Sequence, residues 1–252
     1  MGKKGGKKHL KRKPAPKFWP IHRKEFVWAV KPKPGPHLTS GCIPLVLIVR
    51  DILGLAKTRK EAKTIISQGK IEVNGKLKLE ELFPTGLMDV ISIPEMKKTY
   101  RILPSEKGLF LHSIMPEEAL FKLCRIENKN VTKGGRVQLN LHDGRNIQVQ
   151  VEDSKKTEEN VFQTLDVLKT SIPSQEITAH LKLGEGMHAI IVGGKNVGKY
   201  GKIVTVEKRS GQKRRDALVT IEDENGNRFQ TTLNFVFVTG DTKSCTSLPE
   251  GD

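Results

Sequence analysis

Residues 55–76 read LAKTRKEAKTIISQGKIEVNGK, and the local structure they encode decides the fold around them. Thr58-Arg59-Lys60-Glu61 is a capping box: the threonine hydroxyl can accept from the third helical amide while Glu61 reaches back to the cap's own N–H. The helix it opens places Ala62, Ile65 and Ile66 on one face, at i, i+3 and i+4, and Arg59, Lys60 and Lys63 on the other. Gly69 suits the left-handed position after its end. Lys70-Ile71-Glu72-Val73 then alternates as a strand does, and Asn74-Gly75 is a tight hairpin turn. Upstream, Ile43 to Leu55 is dense in Leu, Ile and Val. It predicts a first helix with Pro44 in its opening turn and Gly54 weakening its end. Two short helices and a hairpin thus make a small folded unit that begins near Ser40. The basic stripe on its second helix suits RNA, but exposed helix faces are commonly charged, so the stripe alone leaves both readings open.

Before this unit the composition changes. Residues 1–40 carry twelve Lys/Arg against one acid, Glu25, which is most of the chain's net charge of +16. Pro14, Pro16, Pro20, Pro32, Pro34 and Pro36 exclude a long helix there. Both tryptophans, Trp19 and Trp28, lie in the same segment with Phe18 and Phe26. An extended basic strand with interleaved rings can set cations on phosphates and rings on unstacked bases or a groove wall. The rings can equally anchor the segment to the body. Lacking an apolar core of its own, the segment is predicted to be disordered in isolation and to order on RNA. Its expected RNA contacts are Lys7, Lys8, Lys11, Arg12, Lys13, Lys17, Arg23 and Lys24.

Beyond the small unit the pattern turns to strands. Leu82 to Ile93 reads as turn then strand. Pro116 to Arg125, with acids at its start and bases at its end, predicts a helix, with Cys124 as a small core residue on its apolar face. Val137, Leu139 and Leu141 alternate with polar residues, Asp143-Gly144 turns, and Ile147, Val149 and Val151 alternate again. His142 beside Asp143 belongs to that turn; no nucleophile accompanies it. Gly193-Gly194-Lys195-Asn196-Val197-Gly198-Lys199 matches G-x-x-x-x-G-K, but a phosphate-cradling loop needs a Ser or Thr next and a helix after it. Tyr200-Gly201 and the β-branched run Ile203 to Val206 follow instead, so a loop between strands is expected. Ala217 to Ile221, Arg228 to Leu233 and Phe235 to Val238 read as further strands, and the last fourteen residues as a frayed end.

Composition narrows the function. The chain has 252 residues, 36% of them hydrophobic, enough for cores in roughly one to three domains. Its pI of about 9.8 attracts polyanions. No apolar run approaches the roughly 18–20 residues of a spanning helix, so no membrane role is expected. Cys42, Cys124 and Cys245 are odd in number and far apart, which suggests neither a disulfide framework nor a metal site. No catalytic residue, cofactor, metal or small-molecule substrate is indicated, and the chain reads as cytoplasmic.

Resemblances now add to this reading. Residues 55–76 resemble a small RNA-binding domain also found in pseudouridine synthases and tyrosyl-tRNA synthetases; that likeness puts Arg59, Lys60, Lys63 and Lys70 on the RNA. MHAIIVGGKNVGKYGKIVTV (187–206) resembles the KOW motif of ribosomal proteins and transcription elongation factors, with Lys195, Asn196 and Lys199 toward RNA backbone. Six strings occur in the order of the S4e family of small-subunit ribosomal proteins, over residues 7 to about 240: KKHLKRKPAPKFWPIHRKEFVWAVKPKPGPH (7–37), PLVLIVRDILGLAKTRKEAK (44–63), FPTGLMDVI (83–91), EEALFKLCRI (117–126), GGRVQLNLHDGRNI (134–147) and GGKNVGKYGKI (193–203). The chain is similar to archaeal members in particular. The resemblance implies an α+β, multi-domain protein: a basic extended segment (1–40), the small RNA-binding domain (41–103), a central β-rich domain (104–175), a KOW-type β-barrel (176–240) and a flexible tail (241–252). It implies a structural constituent of the small ribosomal subunit, partnered by its RNA and neighbouring ribosomal proteins. An RNA-modifying enzyme of pseudouridine synthase type would need a large catalytic domain that the remainder cannot hold. A KOW-bearing elongation factor would not need the first hundred residues.

Overall fold

The computed structural model describes residues 9–132, 136–150, 162–207, 213–241 and 243–248. From residue 9 onward the N-terminal segment is folded onto the next unit rather than extended from it. β1 (Leu10–Lys11) pairs antiparallel with β2 (Trp28–Ala29). Arg23 closes the excursion between them: its Nη1 donates to the carbonyls of Arg12, Lys13 and Ala15 at 3.0, 3.1 and 3.1 Å, and its Nη2 to that of Pro16 at 2.8 Å. Ala15, Trp19 and Val30 are buried in the neighbouring core, and the Trp19 indole donates to the Cys42 carbonyl at 2.7 Å. The expectation of a coreless segment therefore fails for residues 9–40, which share a core with the following unit.

β3 (Cys42–Pro44) leads into α1 (Leu45–Leu47), which continues as a wider π-helical turn over Ile48–Ile52. The first helix is shorter than the expected 43–55. Pro44, with no N–H to give, stays extended at its N-cap, and residues 42–44 pair with β6 (Pro84–Gly86) instead. Leu45 to Val49 are all fully buried, at about 1.5–3 kcal/mol of hydrophobic stabilisation per side chain. α2 (Arg59–Ser67) starts on the capping box, with the Glu61 amide donating to the Thr58 hydroxyl at 3.3 Å. Ala62 and Ile66 are buried, whereas Ile65 is only partly covered. β4 (Glu72–Val73) and β5 (Lys76–Leu77) flank Asn74-Gly75, both with positive φ. With β7 (Val90–Ile93), β8 (Lys98–Ser105) and β9 (Gly108–Ser113) they form an antiparallel sheet ordered β5-β4-β7-β8-β9. A division at residue 103 falls inside β8, and this sheet runs on to Ser113.

Pro116 to Arg125 is not a helix. A single 3₁₀ turn forms at Glu118–Leu120, and β10 (Phe121–Val131) begins at once. The acids and Pro116 did start a turn. The buried Arg101 guanidinium then donates to the carbonyls of Glu118 (2.7 Å) and Phe121 (3.1 Å), and β10 pairs along its length with two strands. Long-range pairing outweighs a local helix preference of tenths of a kcal/mol per residue. β11 (Arg136–Leu141), β12 (Asn146–Gln150), β13 (Val167–Ser171) and β14 (Ile177–Leu181) complete a sheet ordered β12-β11-β10-β13-β14. Val151 lies outside the described residues. Since β14 pairs with β13, a boundary at 175 cuts this sheet. β15 (His188–Ile191), β16 (Tyr200–Glu207), β17 (Leu218–Glu222), β18 (Arg228–Thr232) and β19 (Val236–Gly240) make a third sheet, ordered β18-β17-β16-β15-β19. The end of the chain is not frayed over 243–248: the Ser247 amide and hydroxyl donate to the Glu118 carboxylate at 3.2 and 3.0 Å, and Thr246 is buried.

A buried polar cluster ties these parts together. The Lys122 ammonium on β10 is fully buried and lies 2.7 Å from both Asp89 and Asp143. Asp89 also meets His37 Nε2 at 2.9 Å and accepts from Asn74 at 2.8 Å. So the N-terminal segment, the first sheet and the central sheet share one site. Burial opposes every charge in it, but the opposite charges win. Asp89 is held well below the usual carboxylate range, chiefly by Lys122, Asp143 is lowered by the same cation, and Lys122 is pushed up to about 12. His142, next to Asp143 in the chain, is driven down to about 3, by burial first and Lys122 second, so it stays neutral. An Arg125 bond to the Asn234 carbonyl at 2.8 Å links the central and third sheets.

Candidate nucleic-acid interface

The residues expected on RNA fall into three groups. On α2, Lys60 and Lys63 are exposed and enter no ion pair among the described residues. Arg59 shares its charge with Glu81 at 2.7 Å while half its side chain stays exposed, and Lys70 lies 3.2 Å from Glu95. Leu55, Thr58, Lys60, Glu61, Thr64 and Ile65 line an open cleft of about 420 Å³ along the helix. The capping box fixes the first turn, so the stripe is presented on a rigid element; the backbone amides of Lys57 and Thr58 hold the Glu61 carboxyl below its usual range. Lys57 and Lys76, outside the expected set, add exposed cations before α2 and on β5. The spacing Lys57-x-x-Lys60-x-x-Lys63 was the signal for the first.

On the N-terminal segment, Lys11, Lys13, Lys17 and Lys24 are exposed without an ion pair among the described residues. Arg12 and Arg23 are spent largely inside. Arg12 donates to the carbonyls of Trp28 and His22 and lies 3.6 Å from Glu25, while Arg23 holds the four carbonyls described above. Lys7 and Lys8 lie outside the described residues. The two tryptophans divide the roles left open by the sequence: Trp19 anchors, and Trp28 is 55% exposed.

In the third sheet, residues 192–199 form the loop between β15 and β16, so the G-x-x-x-x-G-K string has strands on both sides. Gly198 has φ +87°, and a Cβ there would stand 2.7–2.9 Å from backbone atoms of Ser105 and Glu106. That glycine seats the loop on the β8–β9 turn; it does not open toward a phosphate. Lys195 is exposed, Asn196 donates to the Gln230 carbonyl at 3.3 Å, and the Lys199 ammonium sits 4.0 Å over the Phe229 ring. Among the described residues no cluster of His, Cys, Asp and Glu could hold a metal, and no helix is long and apolar enough to cross a membrane.

Three family models match: RS4NT (NUC023) domain over residues 4–40, S4 domain over 44–79 and Ribosomal family S4e over 96–177. The chain is 52% identical over 252 residues to the small ribosomal subunit protein eS4 of Staphylothermus marinus, covering 100% of this chain and 99% of that one. The chain belongs to the ribosomal S4e family. Another S4e relative, eS4 of Aeropyrum pernix, is 51% identical over 100% of this chain and 99% of its own. Among solved structures, the crystal structure of 30S ribosomal protein S4e from Thermoplasma acidophilum matches with a TM-score of 0.65 and 30% identity, over 80% of this chain and 96% of that chain. The S4e fold is mixed α and β, mostly strands with few helices.

Proposed function

We propose that this S4e protein is a structural, non-enzymatic constituent of the small ribosomal subunit, located in the cytoplasmic ribosome, where it binds ribosomal RNA and meets neighbouring ribosomal proteins. One observation carries this: about half of all residues are identical, end to end, to relatives named as small-subunit proteins of archaea. Neither alternative, an RNA-modifying enzyme or an elongation factor, is matched by those relatives. The chemistry agrees. Lys11, Lys13, Lys17, Lys24, Lys60, Lys63 and Lys195 are exposed cations that enter no ion pair among the described residues, and each phosphate they neutralise releases counterions to solvent.

The division of labour we propose is as follows. The N-terminal lysines, with Lys7 and Lys8, give broad backbone attraction. α2 gives an oriented contact through Arg59, Lys60 and Lys63, with Lys70 beside it. The sheet β18-β17-β16-β15-β19 is a KOW-type barrel whose 192–199 loop presents Lys195, Asn196 and Lys199. Sedimentation of a lysate through a sucrose gradient after a high-salt wash tests the assignment. The protein is expected with small subunits; recovery in the free-protein fractions would contradict it.

A further inference from the structure

Phe26, Val27 and Trp28 are consecutive and 67, 62 and 55% exposed. Contiguous apolar exposure of this kind marks a contact site more often than an isolated exposed residue does. The ribbon is held from one side by Arg12: its amide donates to the Val27 carbonyl at 2.9 Å, its Nε to the Trp28 carbonyl at 3.2 Å, and its guanidinium lies 4.9 Å from the Phe26 ring centre. The His9 ring sits 5.2 Å from the Trp28 indole, tilted by 47°. Trp19 already ties this segment to the core, so Trp28 and Phe26 are rigidly presented without being needed as anchors.

Charge decides what covers them. Lys11 is the cross-strand partner of Trp28, and Lys13 and Lys24 are exposed close by in the chain. None of the three enters an ion pair among the described residues, and the one acid of the segment, Glu25, is held by Arg12. An apolar protein surface would have to desolvate these cations, which is why charge is depleted from the centres of protein interfaces. A nucleic acid satisfies both features, since bases offer π-faces and phosphates offer negative charge beside them.

We propose that Phe26 and Trp28 form a stacking platform for unpaired bases of RNA, with Lys11, Lys13 and Lys24 on the flanking phosphates. This rests on the RNA-binding reading above and names the part of the RNA that the ribbon takes. The test uses the full-length protein and transcribed small-subunit ribosomal RNA. Phe26→Ala and Trp28→Ala should each weaken binding about 5- to 150-fold, the range for removing one base stack. The slope of log affinity against log salt should not change, because no charge is removed. Trp28→Phe should restore most of the affinity. In Trp28→Ala the emission of the remaining Trp19 shows whether the segment is still packed. A p-benzoylphenylalanine at position 28 in reconstituted subunits should crosslink to a nucleotide. Equal affinity of packed Ala variants for an RNA that the parent protein binds would overturn the platform alone, as would a crosslink to a ribosomal protein or to the chain itself. Failure of the parent protein to bind the RNA would sink the RNA-binding reading together with it.

Discussion

Lys60 and Lys122 are the same residue type in opposite settings. Lys60 stands in solvent on α2 with no ion pair among the described residues; Lys122 is wholly buried between Asp89 and Asp143. Arg23 and Arg101 belong with Lys122, each engaging backbone carbonyls inside the fold. Net charge therefore overstates the positive charge left facing solvent. The cations left facing solvent after the fold has used its own include Lys11, Lys13, Lys17 and Lys24 on the N-terminal segment and Lys60 and Lys63 on α2, with others, such as Lys182 and Lys195, spread over the β-rich remainder.

The buried end of this comparison should give the largest effect. Lys122→Ala removes the cation that the buried Asp89 and Asp143 share, leaving Asp143 only Arg145 at 3.2 Å, and about 3–5 kcal/mol of stability should be lost, as when one partner of a buried pair is removed. Urea unfolding at pH 7 measures it; a loss below about 1 kcal/mol, the range of an exposed pair, would put Lys122 in solvent. The pH dependence sharpens the point. Asp89 and Asp143 are depressed in the folded state, so their contribution is full above the ordinary carboxylate range and is lost as pH falls through the depressed values. Lys122 is raised from 10.5 to about 12, so its contribution is full below 10.5 and is lost as pH rises through about 12. In Lys122→Ala, protonating the two carboxylates relieves the defect, and the gap from the parent protein should narrow between pH 7 and pH 4.

The core beneath α2 comes next. Ile66→Ala should cost about 2–5 kcal/mol, as for buried aliphatics, and the half-covered Ile65 distinctly less; equal losses at the two positions would contradict the observed burial. Thr58→Ala, which removes the cap, should cost about 0.5–2 kcal/mol. Calorimetric melting ranks all three.

The same contrast separates what the sequence displayed from what it hid. The α2 cap, the Asn74-Gly75 turn and the Val137/Leu139/Leu141 strand rest on neighbours within a few residues, and all are present. The Lys122 cluster draws on Asp89, 33 residues away, and Asp143, 21 away, and no local pattern announces such a pairing. Pro116 to Arg125 carried real helix-start signals, yet its hydrogen bonds went to Arg101 and to β13. Trp19 and Trp28 look equivalent in composition, yet Trp19 is buried with its indole on the Cys42 carbonyl and Trp28 is exposed on β2. Sequence showed which cations exist on α2. It could not show that Arg12 and Arg23 are consumed by their own segment.

The solvent-facing end of the comparison carries the central claim that α2 presents an RNA surface independent of fold stability. The double variant Lys60→Ala/Lys63→Ala should change unfolding free energy by less than about 0.5 kcal/mol per site, as ordinary surface sites do. Its affinity for small-subunit ribosomal RNA, measured at two salt concentrations, should fall, and the salt slope should drop by about one unit for each phosphate no longer neutralised. Unchanged affinity and unchanged slope in a variant that melts with the parent protein would mean the stripe faces only water, and the proposed interface on α2 would be wrong.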